Sequence, residues 1–342
     1  MANRGEIIAE FPGGVVRLYK DGSIERCHGV PVPCSQGAFV DGVASMDITL
    51  DDTTGVWARI FLPDCAINDD SSVRLPVVIH IPGGGFCIGS PSDPEKNSLC
   101  RRRAVDTRSI WVSIAYRRAP EHRLPAGCED CIGAIAWLNR IARHEIESQW
   151  LSQHADLEHC FLAGDSAGGN IAYQVALSAA SSEISRAQGP AVKIIGLILL
   201  HPGFLKEERS KSEIENPPDL ALVPADIMDQ VSIMALPEGT NKNYYIFNPW
   251  IPDVSQVVLP PALITIGKLD KFYDRSVEFC RAMEAAGQDL EMVEYANMGH
   301  CFHLMPNFES CPEALDQSQK VVNFMNKRLQ MLQAGSEADQ VS

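Results

Sequence analysis

The sequence is short of the features that mark several large classes of protein. It has no long apolar run: the longest, Ile194–Leu200, falls far below the roughly 20 residues that a membrane-spanning helix needs. Met1 to Gly14 holds no apolar core of the kind a secretory signal carries. There is no Asn-x-Ser/Thr acceptor, no glycine at position 2 and no C-terminal prenylation box. A cationic excess is missing too. The 29 Lys and Arg stand against 44 Asp and Glu, a formal charge of −15, which repels phosphate backbones and anionic lipid. Nucleic acid and membrane surfaces are therefore excluded as expected partners. Eleven cysteines, odd in number and scattered, form no disulfide framework, so a reducing, cytoplasmic setting is expected. Cys128 and Cys131 make a lone Cys-x-x-Cys inside a predicted helix, where they read as two small core residues. No second pair lies at zinc-ribbon spacing, so no metal is expected, and no organic cofactor is implied. Nothing in the sequence speaks to oligomeric state.

What is present is an ordinary globular composition, 45% hydrophobic and 21% charged over 342 residues, enough for a full core without staples. Val15–Tyr19 and Ile24–Arg26 flank Lys20-Asp21-Gly22-Ser23, a hairpin signal, and Met46–Leu50 and Val56–Leu62 flank a second. Strand-like runs follow at Val77–Ile81, Ile110–Tyr116, His159–Ala163, Ile194–Leu200, Ala262–Ile266 and Glu291–Tyr295. Helical patterns run over Cys128–Arg143, with Ile132, Ile135, Leu138 and Ile141 on one side, and over Ala167–Ala180, Arg275–Ala286 and Pro312–Leu332. This order predicts an α/β fold: a mostly parallel sheet with helices on both faces and an antiparallel N-terminal edge. Residues 1–40 and the Pro-rich stretch 201–258 do not fit the alternation; an insertion the size of 201–258 between two core strands reads as a lid or cap over a site, on a single domain, 1–333. Residues 334–342 read as a disordered polar tail.

The chemistry-bearing signal is Gly164-Asp165-Ser166-Ala167-Gly168, a G-x-S-x-G between a predicted strand and a predicted helix. That context is what a nucleophile elbow needs: a tight turn with small neighbours that presents the Ser166 hydroxyl at the sheet edge. A serine hydroxyl needs a base and the base needs an orienting carboxylate, in the chain order Ser, Asp or Glu, His. Asp270 follows one predicted strand and His300 the next. Asp274 starts the following helix and reads as its cap, and His303 runs on into an apolar stretch. The remaining histidines lack this order and read as structural. Pro82-Gly83-Gly84-Gly85-Phe86, directly after Val77–Ile81, is a loop whose backbone N–H groups can approach a ligand closely. With the N–H of Ala167, Gly83, Gly84 and Gly85 form the candidate oxyanion site.

At these residues the chain resembles the plant carboxylesterases of the hormone-sensitive-lipase-like branch of the α/β-hydrolases. The resemblance is carried by Val16–Gly22, Gly83–Ser90, Tyr116–Ala126, Leu162–Ala172 and Gly299–His303. It implies an eight-stranded α/β-hydrolase core, capped by the N-terminal segment (about 1–40) and the mid-chain insertion (about 201–258), with Ser166 as nucleophile, His300 as base and Asp270 as orienter. It also implies oxyanion N–H groups from Gly84, Gly85 and Ala167, with Gly83 shaping the loop. Pro82 departs from the family pattern, which has His there, and Arg118 and Gly127 depart from Leu and Ala. The resemblance further implies hydrolysis of a small-molecule carboxylic ester, with an aryl, phenolic or galloyl type among the family's range. Two other readings stay open: a dehydratase or cyclase of specialised metabolism, and a small-molecule receptor, whose family examples lose the His retained here as His300. Phe86, Phe204, Tyr245 and Phe247 are candidate substrate contacts; the cap aromatics Tyr244, Tyr245, Phe247 and Trp250, with Phe204, equally fit the cap's own core.

Overall fold

The computed structural model describes residues 5–341 except 28, 69–72, 182–190, 217–222, 224–225, 250–256 and 306–309, with side chains described through 334. Its main sheet has eight strands: β4 (Val43–Asp51), β5 (Val56–Pro63), β6 (Leu75–Ile81), β7 (Ile110–Ala115), β8 (Ala155–Asp165), β9 (Ile194–Leu200), β10 (Ala262–Gly267) and β11 (Leu290–Tyr295). In space they lie in the order β11-β10-β9-β8-β6-β7-β5-β4. Pairing is parallel from β11 to β7, and antiparallel between β7, β5 and β4. A separate antiparallel sheet holds β1 (Ile7–Glu10), β2 (Val16–Tyr19) and β3 (Ile24–Arg26).

Alternation along the central strands sorts side chains into two cores. Val77, Ile79 and Ile81 share one with Leu138 and Ile141 of helix Ala126–Ala142 and Ile171 and Val175 of helix Ala167–Ser181. Val78, Phe161 and Ile198 share the other with Cys100 and Ala104 of helix Pro94–Asp106 and Val321, Phe324 and Met325 of the terminal helix. Both sheet faces are therefore covered, which is why these strands read as continuous apolar runs.

Several details differ from expectation. Helix Pro94–Asp106 is polar, with three consecutive arginines and weak apolar periodicity, and hydropathy alone does not reveal it. On helix Ala126–Ala142 the buried face runs through Cys128, Cys131, Ala134, Leu138 and Ile141, while Ile132 is exposed. The two cysteines are free and part of that face, and burial pushes the Cys128 thiol up to about 12. The terminal helix spans Pro312–Val341. Among the described residues no helix is long and apolar enough to cross a membrane.

Candidate active site

Strand β8 runs straight into helix Ala167–Ser181, and Ser166 is the hinge between them, at φ 53°. A non-glycine residue in the left-handed region is held there by its surroundings. The Ser166 N–H donates to Leu200 O at 2.9 Å, and its carbonyl accepts from Gly203 N–H (3.0 Å) and Asn170 N–H (3.1 Å). The turn has no room for a side chain at 168: a Cβ there would stand 1.9 Å from Ile81 O. Asn170 ties the elbow to the insertion by donating to Gly203 O at 2.9 Å and Ile246 O at 2.7 Å.

The other two predicted side chains arrive from the same sheet edge. Asp270 lies just past β10 and His300 in the loop past β11, so parallel strand ends bring them to the end of β8. Ser166 Oγ is 2.7 Å from His300 Nε2, and His300 Nδ1 is 2.7 Å from Asp270 Oδ2. With the ring proton on Nδ1, the hydroxyl donates to the imidazole and the imidazole donates to the carboxylate. Asp270 is 1% exposed, and its Oδ1 accepts the Phe272 N–H at 2.9 Å. Burial works to raise the Asp270 carboxyl, but the His300 and His201 rings overcome it and hold it well below the usual range. Burial likewise works against a charged His300 ring, and Asp270 overrides it, lifting the ring well above its ordinary value.

The rivals lie elsewhere. Asp274 accepts from Ser212 N–H at 2.7 Å in the first turn of helix Tyr273–Ala285. His303 is buried and stacks on His201, ring centroids 5.8 Å apart. His201 itself was not expected here. It follows β9, and its Nδ1 lies 3.4 Å from the same Asp270 oxygen that His300 uses. Its position just past a parallel strand is the signal that points to it. His201, Asp270 and His300 also form a trio close enough to surround a metal ion. Their nearest donor atoms are already engaged: both Nδ1 atoms face Asp270, and His300 Nε2 faces Ser166.

The glycine loop lies beside the elbow. Gly84 and Gly85 adopt positive φ, 139° and 57°. The Pro82 carbonyl accepts the Tyr116 hydroxyl at 2.8 Å. Among the described residues, the N–H groups of Gly84, Gly85 and Ala167 find no protein acceptor. All three residues, with Gly83, Ser166 and His300, line one cavity of about 420 Å³.

The rest of that wall is mainly apolar. Phe11 and Pro12 come from the N-terminal segment, and Leu205, Met228 and Val231 from the insertion. The two segments touch, with Glu10 N–H donating to Gln230 Oε1 at 2.8 Å. Of the aromatic candidates among the described residues, only Phe86 reaches the cavity. Phe247 is fully buried behind it, stacked on Phe86 at 5.4 Å, and Phe204 packs against Tyr173 and Phe279. Tyr245 is 42% exposed and leans on Tyr244, and Trp250 lies outside the described residues. Most of the candidate aromatics thus build the support of the site, and helix Ile227–Ala235 supplies lining through Ile227, Met228 and Val231. Their i, i+1, i+4 spacing on one helix face is a sequence signal for this element.

Residues 78–304 match a protein family described by its alpha/beta hydrolase fold. Probable carboxylesterase 6 of Arabidopsis thaliana is 35% identical over 303 residues, which cover 88% of this chain and 86% of that protein. Tuliposide A-converting enzyme 1 of Tulipa gesneriana is 30% identical, over 84% of this chain and 70% of that enzyme. Among solved structures, a hyperthermophilic esterase from the archaeon Pyrobaculum calidifontis superposes with a TM-score of 0.68 at 26% identity, covering 83% of this chain and 85% of that one.

Proposed function

The chain belongs to the α/β-hydrolase family as a carboxylic ester hydrolase, and we propose that it cuts its ester through Ser166, by way of an acyl-enzyme. In this reading Ser166 Oγ attacks the ester carbonyl while His300 Nε2 takes its proton. Asp270 holds the ring in the tautomer that leaves Nε2 free to accept, and stabilises the imidazolium that forms. The negative oxygen of the tetrahedral intermediate is received by the N–H groups of Gly84, Gly85 and Ala167, with Gly83 shaping the loop. Each such donor contributes about 3 kcal/mol in the transition state. His300 then returns the proton to the leaving alcohol, and a water activated by the same ring releases the acid. The observation that carries the reading is the unbroken chain from Ser166 Oγ through His300 to Asp270, 2.7 Å at each link.

The apolar wall supports a small-molecule ester with an apolar group. Phe11, Phe86 and Phe272 are its aromatic members and suit an aryl or an alkyl portion. Residues 1–40 and 201–258 act as the cap, through Phe11 on one side and Met228 and Val231 on the other. The odd number and scattered spacing of the eleven cysteines support a reducing, cytoplasmic setting. The decisive experiment is Ser166→Ala with p-nitrophenyl acetate. The burst of p-nitrophenolate should vanish and turnover should fall at least about 1,000-fold; a variant that keeps its burst overturns the serine mechanism.

A further inference from the structure

A second set of buried charges borders the same cavity beside the glycine loop, and the acyl-transfer steps do not use it. Asp165, the residue before Ser166, is 1% exposed. Lys96 reaches it from helix Pro94–Asp106, its Nζ donating to Asp165 Oδ2 at 2.6 Å, and is itself buried. Near the other carboxylate oxygen, His80 Nε2 stands at 3.6 Å, while His80 Nδ1 lies 2.8 Å from Ser113 Oγ. Burial opposes ionisation of Asp165, yet Lys96 and His80 hold it well below the usual carboxylate range. A lone buried carboxylate is strongly disfavoured, so the ammonium and the His80 ring together keep this one charged in place, the ammonium at the shorter distance.

The carboxylate also touches the loop. A Cβ on Gly83 would stand 2.4 Å from Asp165 Oδ2 and 2.2 Å from Asp165 O, so Gly83 lies directly against Asp165. Pro82 has no N–H to anchor the loop, and its carbonyl is held from another side by Tyr116. Gly84 O is held by the Cys87 and Ile88 N–H groups, whereas Gly83 rests on Asp165, whose carboxylate is held by Lys96. An unpaired negative charge one residue from the nucleophile would also repel the oxyanion that forms on the loop.

We propose that Lys96 is a positioning residue for ester hydrolysis: it pins Asp165 as the platform under Gly83 and cancels a charge that would oppose the oxyanion. The proposal rests on the serine reading above. Lys96→Met removes the ammonium and keeps the stem. With p-nitrophenyl acetate, kcat per active site counted by the burst should fall about 30-fold while KM stays within about threefold, because the loss falls on the transition state. Affinity for a trifluoromethyl ketone should fall in parallel. Adding Asp165→Asn, which makes the pair neutral, should recover at least about threefold over Lys96→Met and remain about tenfold below the wild-type enzyme. A fall in kcat of less than about threefold in Lys96→Met, with only the melting temperature lowered, assigns the pair a purely structural role and overturns the proposal. Should Lys96→Met fail to fold, the double variant decides: a kcat within about threefold of wild type overturns the proposal. Ser166→Ala, run alongside, separates the two readings. If it keeps its burst, the serine mechanism fails. If it is inert while Lys96→Met turns over normally, only the role of Lys96 fails.

Discussion

Asp270→Asn is the sharpest probe of the catalytic geometry, because the structure dictates how the amide will sit. Asp270 Oδ1 accepts the Phe272 N–H at 2.9 Å, so the amide oxygen takes that place and its NH₂ takes the place of Oδ2. The NH₂ then points at His300 Nδ1, where an acceptor stood 2.7 Å away. A donor facing Nδ1 forces the ring proton onto Nε2, and Nε2–H now faces the Ser166 hydroxyl it should deprotonate. Shape and volume are unchanged, so the loss falls on the tautomer and on the imidazolium that has lost its counter-charge. An amide replacing the orienting carboxylate of a serine hydrolase lowers kcat about 10⁴-fold, or roughly 5 kcal/mol at about 1.36 kcal/mol per decade. The assay is burst and steady-state hydrolysis of p-nitrophenyl acetate at neutral pH, with thermal denaturation as control. The melting temperature should stay within about 4 °C of wild type. A folded variant that retains kcat within about tenfold of wild type would refute the assignment of Asp270.

Three further outcomes follow from the same geometry. Since Asp270 lifts His300 well above its ordinary value, and the neutral ring is the base, kcat/KM should rise with pH on a limb above the ~6.5 of free imidazole; Asp270→Asn should move that limb to lower pH, and a wild-type limb at or below 6.5 contradicts the coupling. Met228 lines the cavity from helix Ile227–Ala235, so Met228→Trp should reduce kcat/KM for butyrate and longer p-nitrophenyl esters at least about tenfold while the acetate stays within about threefold; equal losses across the series would remove Met228 from the acyl wall. Gly168→Ala would force a Cβ to within 1.9 Å of Ile81 O, a clash of backbone with backbone, and should lower stability by about 3 kcal/mol or more; an unchanged melting curve would show that the elbow is looser than described.

How much of this was readable in the amino-acid order depends on how local the determinants are. Strands such as Ile194–Leu200 coincide with their apolar runs because they are buried on both faces. The elbow announces itself because a strand, a small-residue turn and a helix are contiguous in sequence, and because Gly164 and Gly168 are demanded by contacts within that same turn and with the neighbouring strand end. Asp270 and His300 are legible through topology, since parallel strands end on one edge and residues just past them must meet there. Helix Pro94–Asp106 shows the opposite case. Its buried residues include Lys96, Asn97 and Arg103, which composition alone sends to the surface.

The sequence by itself determined the fold class, the strand order along the chain and the trio Ser166, His300 and Asp270 that meets at the sheet edge. Tertiary structure alone decided which side chains face the cavity. Phe204 and Phe247 became support, while Phe11 and Val231, 220 positions apart, became wall. It alone brought His201 to Asp270 and Lys96 to Asp165. The physical reason is the range of the interaction: a turn or an alternating strand is specified by neighbours in sequence, whereas a buried charge or a cavity wall is specified by whatever the folded chain brings back to it.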